Sequence, residues 1–309
     1  NDFYRNLAEE MGDSDLATIS NELLSEYEAN RSSRSDWEDS YSKGLELLGY
    51  TYEDRTMPFR GATGVTHPLL AEAATQFQAQ AFNELLPPGG PVRTAVMGEL
   101  TRDKQAQSER VKEFMNYYIT SVMEDYTPEF DQMLFYLPLA GSTFKKVYFD
   151  ETIDRAVSKF VPAEDLVVPY TATDLDTCPN VTQVVKMALN DVRKRQVTGF
   201  YRDIQVLPSQ GEEATDIAQA MEKIEGIQPN MIDYDCTLLE CHVDLDLPGF
   251  EEMGEDGEPT GIKIPYVVTI SEDNGQVLSI RRNYNEEDEL KRKIQYFVHY
   301  KFLPGFGFY

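Results

Sequence analysis

Residues 141–195 constrain the fold of this chain more than any other part of its sequence. Their pattern predicts two strands joined as a hairpin, then a segment bracketed by two prolines, a third strand and a short helix. The bracketed segment runs from Pro162 to Pro169 and carries an acidic pair at its start. No metal-ligand, phosphate-binding or nucleophile pattern falls on this stretch. The stretch therefore predicts a scaffold and not a site of chemistry.

The residues before this stretch have a helical pattern. Two amphipathic helices are predicted within residues 1–48, with an N-cap at residues 13–15 and a link at residues 30–35. Further helices are predicted over residues 66–85, 101–124 and 127–137, with a single strand at residues 92–97. Their apolar side chains, including the adjacent Tyr117 and Tyr118, are predicted to lie in the core.

The residues after the stretch have a strand pattern. An acidic helix is predicted at residues 211–226, followed by an alternating strand at 237–247. A hairpin is predicted at 262–282, turning at Asn274-Gly275, and another strand at 294–302. The predicted class is α+β, with a mainly helical part at residues 1–140 and a strand-rich part at residues 141–309.

The charge of the chain limits what it can bind. Its 309 residues include 54 Asp and Glu against 28 Lys and Arg, which gives a formal net charge of −26. This balance argues against a surface that wraps nucleic acid or lies on an anionic membrane. It is compatible with a channel through which DNA slides, because a repulsive wall does not hold the DNA.

Cysteine usage and apolar runs indicate the compartment. Cys178, Cys236 and Cys241 are odd in number and have no metal-like spacing, which favours a reducing, intracellular origin. No signal peptide and no apolar run near the ~20 residues of a membrane helix is found. Residues 302–309 interleave aromatic residues with glycines, so we expect the sequence to be a piece of a longer polypeptide.

Two acidic features could hold a metal. Glu240, His242, Asp244 and Asp246 share one face of a predicted strand, which suits metal binding or acid–base chemistry, but also the polar face of a half-covered sheet. Residues 251–258 have the composition of a calcium loop without the ligand spacing of an EF-hand, which favours a solvated loop. We assign no catalytic residue, cofactor or metal ligand, and we expect that the chain is not an enzyme.

Three long segments carry a resemblance to a known family. They are RGATGVTHPLLAEAATQFQAQAFNELLPPGGPVRT, then LPLAGSTFKKVYFDETIDRAVSKFVPAEDLVVPYTATDLDTCPNVTQVVKMALNDVRKR, and YFVHYKFLPGFGFY at the end. In this order the chain resembles the amino-terminal wing region of the portal protein, the head-to-tail connector, of tailed bacteriophages of the large podovirus type. The resemblance covers nearly all of the chain and rests on the whole pattern, since no single short motif is diagnostic.

The resemblance implies a structural role in the virion. Portal subunits form a dodecameric ring at one capsid vertex, and double-stranded DNA passes through it during packaging and ejection. The implied partners are other copies of the chain, the major capsid protein, the terminase large subunit and the head–tail adaptor protein, with no membrane. The implied location is the portal vertex of the virion, and the host cytoplasm during assembly. Stem, clip and crown regions would follow residue 309.

The residues predicted to lie at an interface are Trp37, Tyr41, Arg55 and Arg60, chosen because we expect them to be exposed on peripheral elements. Two alternatives remain open from the sequence. One is a metal- or calcium-binding domain or hydrolase that uses His242, Asp244 and Asp246. The other is an acidic adaptor that binds a protein partner through its N-terminal helices.

Overall fold

A computed structural model describes residues 2–48, 59–62, 64, 67–150, 153–208, 216–225, 235–254, 257–303 and 308–309. The fold is α+β, as the sequence predicts. Its α-helices are α1 (Asp13–Ser33), α2 (Ser35–Glu46), α3 (Leu69–Leu85), α4 (Arg102–Tyr117), α5 (Tyr126–Ala140), α6 (Leu189–Val197) and α7 (Asp216–Glu225). Its strands are β1 (Ser142–Asp150), β2 (Arg155–Val161), β3 (Leu166–Val167), β4 (Asn180–Ala188), β5 (Asp235–Leu245), β6 (Ile264–Ser271), β7 (Val277–Arg282) and β8 (Phe297–Lys301).

The strands form two antiparallel sheets, and the helices and sheets divide between two compact units. The first unit consists of residues 1–42, 164–295 and 308 and holds a five-stranded sheet of order β3-β4-β5-β6-β7. The second unit consists of residues 43–163, 296–307 and 309 and holds a three-stranded sheet of order β2-β1-β8. The change from helix to strand near residue 140 lies inside the second unit, so it is not a boundary between the units.

The predicted order of elements in residues 141–195 is confirmed. Helix α5 ends at Ala140 and is capped by Gly141, whose φ of 80° is the left-handed conformation that glycine adopts readily; β1 begins at the next residue. The hairpin β1–β2, the proline-bracketed segment with β3, the strand β4 and the helix α6 then follow in the predicted sequence. The predicted β6–β7 turn is also confirmed, with Gly275 at φ 65°.

The core of the first unit lies on both faces of its sheet. Side chains of successive strand residues point to opposite faces, so β5 contributes Leu239 and Cys241 to one face and Cys236 and Leu238 to the other. The first face packs against α1 through residues that include Leu16. The second face packs against α6 and the segment that follows it.

A buried arginine separates α1 from α2. The predicted link at residues 30–35 is wrong, because α1 continues to Ser33 and only Arg34 is non-helical. Arg34 is 2% exposed and donates to the carbonyls of Leu166 (3.0 Å) and Glu164 (2.6 Å). It also donates to a carboxylate oxygen of Glu38 at 2.8 Å. The helix therefore breaks where the guanidinium finds fixed acceptors, and not in the Ser-rich residues before it.

The segment that Arg34 binds contains a perturbed carboxyl group. Burial raises the pKa of Glu164 to about 7; Asp165 raises it further, and Arg34 opposes the shift. Oε2 of Glu164 is buried and has no hydrogen-bond partner among the residues that the structure describes. Arg34 thus holds the acidic start of the bracketed segment against the N-terminal helices of the same unit.

In the second unit, α5 packs against α3 and the three-stranded sheet. Phe130, Met133 and Leu134 of α5 form the core there, with Phe82 and Phe160 packed against them. The N–H groups on the outer edge of β2 donate to side chains of the helical part. The N–H of Ala156 donates to Tyr118 (3.1 Å), that of Ser158 to Asp125 (3.4 Å) and that of Phe160 to Glu129 (2.7 Å). These side chains block this sheet edge from pairing with another strand.

Among the described residues, no helix is both long enough and apolar enough to cross a bilayer.

Candidate interaction surface

Residues 87–122 form an element of the second unit that we call the arm. It begins with a non-helical segment, continues as α4, whose N-cap Thr101 is confirmed by its bond from the Lys104 N–H, and ends in a five-residue π-helical turn (Tyr118–Val122). The predicted strand at residues 92–97 is wrong for the described part of the chain, where this segment pairs with no strand. Side chains of α4 hold it instead.

The non-helical segment lies along α4 through two polar contacts. The N–H of Val92 donates to Oδ1 of Asn116 at 2.8 Å, and Nδ2 of Asn116 donates to the Val92 carbonyl at 3.2 Å. Further along, the hydroxyl of Thr94 donates to the carbonyl of Ser108 at 3.1 Å. A groove of about 620 Å³ lies between the non-helical segment and α4. The asparagine amide therefore occupies the place of a neighbouring strand at Val92.

A glycine makes the Asn116 contact possible. Gly90 has a φ of 89°, and a Cβ added there would lie 2.3 Å from Oδ1 of Asn116. An L side chain at this position is thus disfavoured both by its backbone conformation and by a clash with the asparagine amide.

We expect Gly90→Ala to release the non-helical segment from α4, because the added methyl group displaces the Asn116 amide from Val92. Limited proteolysis should then cut residues 91–101 at least about tenfold faster, since a strained φ and a lost pair of hydrogen bonds together amount to roughly 2 kcal/mol. Gly98→Ala is the control, because Gly98 also has a positive φ (81°) but no atom within 4 Å of an added Cβ. Equal cleavage of the two variants would contradict the assigned role of Gly90.

Helix α4 packs through its polar side and leaves its apolar side exposed. Ser108, Lys112 and Asn116 lie along the groove or contact the segment beside it. Val111, Phe114 and Met115 share another face and are 47%, 60% and 38% exposed, and α4 contains no buried residue. We call these three residues the apolar stripe. The prediction that this side of the helix is core is wrong, and Tyr117, at 60% exposed, is also outside the core.

Other apolar side chains of the second unit are exposed as well. Met97 and Leu100, on the chain just before α4, are 88% and 67% exposed. On the three-stranded sheet, Val147 and Phe149 of β1 and Val298 of β8 are also exposed. Exposed apolar side chains of this kind mark contacts with other molecules where they form a contiguous patch.

The arm differs in charge from the rest of the chain. Its basic residues outnumber its acidic residues by one, namely Arg93, Arg102, Lys104, Arg110 and Lys112 against Glu99, Asp103, Glu109 and Glu113. The whole chain carries −26. The arm is therefore a place where another strongly negative molecule can approach without the repulsion that the rest of the chain exerts.

The residues predicted to lie at an interface have different surroundings. The expectation that Tyr41 is exposed is wrong, because it is 3% exposed and stacks on Trp37 at 5.3 Å between ring centroids. Trp37 is partly buried beneath the Arg34 guanidinium, 5.4 Å from the ring centroid. Arg60 is exposed in a turn, and Arg55 lies outside the described residues. The aromatic pair thus packs around Arg34, and the amphipathic pattern of α2 could not show this.

The acidic strand does not assemble a metal site. Glu240 and His242 meet at 2.7 Å on β5, but His242 is buried between its cross-strand neighbours Val181 and Val267. Asp244 is exposed further along the strand. In the described part of the chain, no three His, Cys, Asp or Glu side chains are placed to hold one metal ion. The polar-face interpretation fits Asp244 and Asp246, which are exposed, but not His242.

The remaining candidates are dispersed. In the loop at residues 251–258, Glu252 pairs with Lys291, and Glu255 and Asp256 lie outside the described residues. His299 stacks on Phe144, with 4.7 Å between ring centroids, and hydrogen-bonds with Ser142 at 3.0 Å. These are the contacts of a histidine that packs in the interior. Burial lowers the pKa of His299 to about 4, and Lys301 lowers it further. The three cysteines are buried as free thiols.

No protein-family model matches the sequence, and no curated protein matches it.

Proposed function

We propose that this chain is a structural subunit of the portal ring at the capsid vertex of a tailed bacteriophage, and that it assembles with copies of itself through the arm. In this role the ring is the conduit for DNA packaging and ejection, and it joins the head to the tail. It gives the major capsid protein, the terminase large subunit and a head–tail adaptor as further partners. It assigns no catalytic residue.

The observation that carries the proposal is the exposed apolar stripe on a helix that packs through its polar side. Val111, Phe114 and Met115 are already about half-buried, so leaving them in water costs roughly 1 kcal/mol for each side chain that a partner could bury completely. A chain that packs only against itself would place this face inward. The stripe is therefore best explained as a surface covered in an assembly.

The charge of the chain and its sequence resemblance support the same function. A formal charge of −26 suits a channel wall from which DNA is repelled, and it requires special surfaces where copies can meet. The arm supplies such a surface, since its charges nearly balance. The resemblance to portal wing regions implies a ring, its place in the virion and its partners.

The test is assembly of the full-length protein, followed by mass photometry and negative-stain electron microscopy. We expect closed rings with a central hole. Phe114→Asp should shift the protein towards monomer by at least about tenfold in concentration, because it places a charge in the contact. Ala106→Asp is the matched control, because it adds the same charge at an exposed position on another face of α4.

Two results would count against the proposal. A uniform monomer for the unmodified full-length protein at high concentration would exclude a ring subunit. Identical ring yields for Phe114→Asp and Ala106→Asp would exclude the apolar stripe as the contact. Circular dichroism of both variants should match the unmodified protein, since neither position is buried.

A further inference from the structure

Residues 92–97 are non-helical, and their burial alternates as it does in a β-strand, but they have no neighbouring strand in the described residues. The chain runs through them without a turn or a bend, and no backbone–backbone hydrogen bond within the described residues involves them. Their burial alternates, with Val92, Thr94 and Val96 partly buried and the residues between them exposed. An alternation of two is the period of a strand that lies with one face on a support.

The two edges of this segment differ. The N–H and the C=O of Val92 both bond to Asn116, so this edge faces α4. In an extended chain the backbone groups of alternate residues point to opposite edges, which places those of Arg93 and Ala95 on the other edge. Those groups have no partner in the described part of the chain. The segment therefore presents a free strand edge.

We propose that this free edge pairs, as a β-strand, with an extended segment of a second copy of this chain. The inference deepens the proposed function and rests on it, because it names the contact through which neighbouring subunits of the ring would be joined. Strand addition of this kind uses backbone hydrogen bonds for affinity and exposed side chains for register.

A contrast within the second unit supports a functional reason for the open edge. The outer edge of β2 is blocked by Tyr118, Asp125 and Glu129, which accept its N–H groups. Such blocking protects sheet edges from unwanted pairing. The edge at Arg93 and Ala95 has no such protection in the described residues, although the valines and the threonine of the segment favour strand formation.

The charge favours a second copy as the occupant. Arg93 is exposed on the segment, and the arm has one more basic than acidic residue, whereas a second copy carries −26. The apolar stripe on the adjoining helix would be covered by the same neighbour. A copy of this chain is thus attracted to the arm more strongly than to any surface that shares the overall acidic balance.

Proline substitution tests which edge is used in the full-length protein. Ala95→Pro removes an N–H from the free edge, so one interstrand hydrogen bond is lost, and the proline side chain also obstructs strand pairing. It should therefore raise the concentration at which the assembled rings dissociate by about tenfold. Val96→Pro is the matched control, because it removes an N–H from the edge that faces α4, and Ala95→Ser retains the N–H. Equal effects of the two prolines would overturn the proposal.

Amide hydrogen exchange separates this inference from the proposed function. In assembled rings, the amides of Arg93 and Ala95 should exchange at least about tenfold more slowly than in subunits dissociated by dilution. Rings that form while these amides stay unprotected would overturn the strand pairing and leave the portal function intact. The absence of rings would remove both.

Cross-linking of mixed isotope-labelled and unlabelled subunits identifies the occupant. We expect links from residues 92–97 to join a labelled copy to an unlabelled one. Links confined to a single chain, or amides equally protected in dissociated subunits, would show that another segment of the same polypeptide covers the edge and would overturn the proposal.

Discussion

Replacing Arg34 with leucine is expected to lower the free energy of unfolding by about 3–5 kcal/mol, the usual cost of removing one partner from a buried, hydrogen-bonded charge. The guanidinium is 2% exposed and donates to the carbonyls of Glu164 and Leu166. Leucine fills part of the volume but cannot donate to either carbonyl. The Trp37 ring would also lose the cation above it.

Urea denaturation followed by tryptophan fluorescence measures this change, because Trp37 is the only tryptophan in the sequence. Arg193→Leu is the matched control, since Arg193 pairs with Asp203 on the exposed surface, where such pairs contribute about 0–1 kcal/mol. A loss below about 1 kcal/mol for Arg34→Leu would show that the N-terminal helices do not depend on this contact.

Replacing Lys145 with methionine is expected to stabilise the chain at neutral pH. Lys145 of β1 is 2% exposed, and its ammonium group has no hydrogen-bond partner in the described residues. It lies 4.3 Å from the ring centroid of Tyr126 and 5.0 Å from that of Phe130. Burial lowers the pKa of Lys145 to about 8, although Glu129 and Asp125 oppose the shift. A shift of this size corresponds to roughly 3 kcal/mol, an upper limit on what methionine can recover.

The pH dependence gives this prediction a distinctive signature. The pKa of Lys145 is lowered from 10.5, so the unfolded chain retains the proton that the folded chain loses between pH 8 and 10.5. The contribution of Lys145 to stability therefore rises with pH in that window. Lys145→Met should remove this rise in urea midpoints measured from pH 7 to 10. Lys146→Met is the control, since its side chain lies on the other face of β1 and is partly exposed. An unchanged slope for Lys145→Met would contradict the assignment.

Local patterns in the sequence predicted the elements of residues 141–195 and the β6–β7 turn. Residues 141–195 were predictable because alternating apolar runs, prolines and glycines are local sequence signals that tertiary contacts rarely reverse. Gly141, which adopts a φ of 80°, is one of them. The same holds for the Asn274-Gly275 turn and for Thr101, whose hydroxyl accepts from the Lys104 N–H. These features depend on residues within a few positions of each other.

The arm and the Arg34 contact could not be predicted in this way. Amphipathicity shows which side of α4 is apolar, but not whether the chain itself or another molecule covers it. The strand pattern of residues 92–97 likewise gives no information on the partner, and the structure shows only Asn116 at one edge. Arg34 was hidden because its acceptors, at Glu164 and Leu166, are about 130 residues away. Each failure concerns a contact that sequence periodicity does not encode.

The interleaved connectivity of the two units sets the order in which a newly made chain can fold. Residues 1–42 emerge from the ribosome long before residues 164–295, which complete their sheet. Residues 43–163 must likewise wait for β8, which pairs with β1. The first unit can close only after β7 has been synthesised, and the second only after β8. The apolar face of α1 and one edge of β1 therefore stay uncovered while the intervening residues are made. Expression of this chain should therefore depend on chaperones that protect nascent polypeptides, and shortened versions ending before β8 should aggregate.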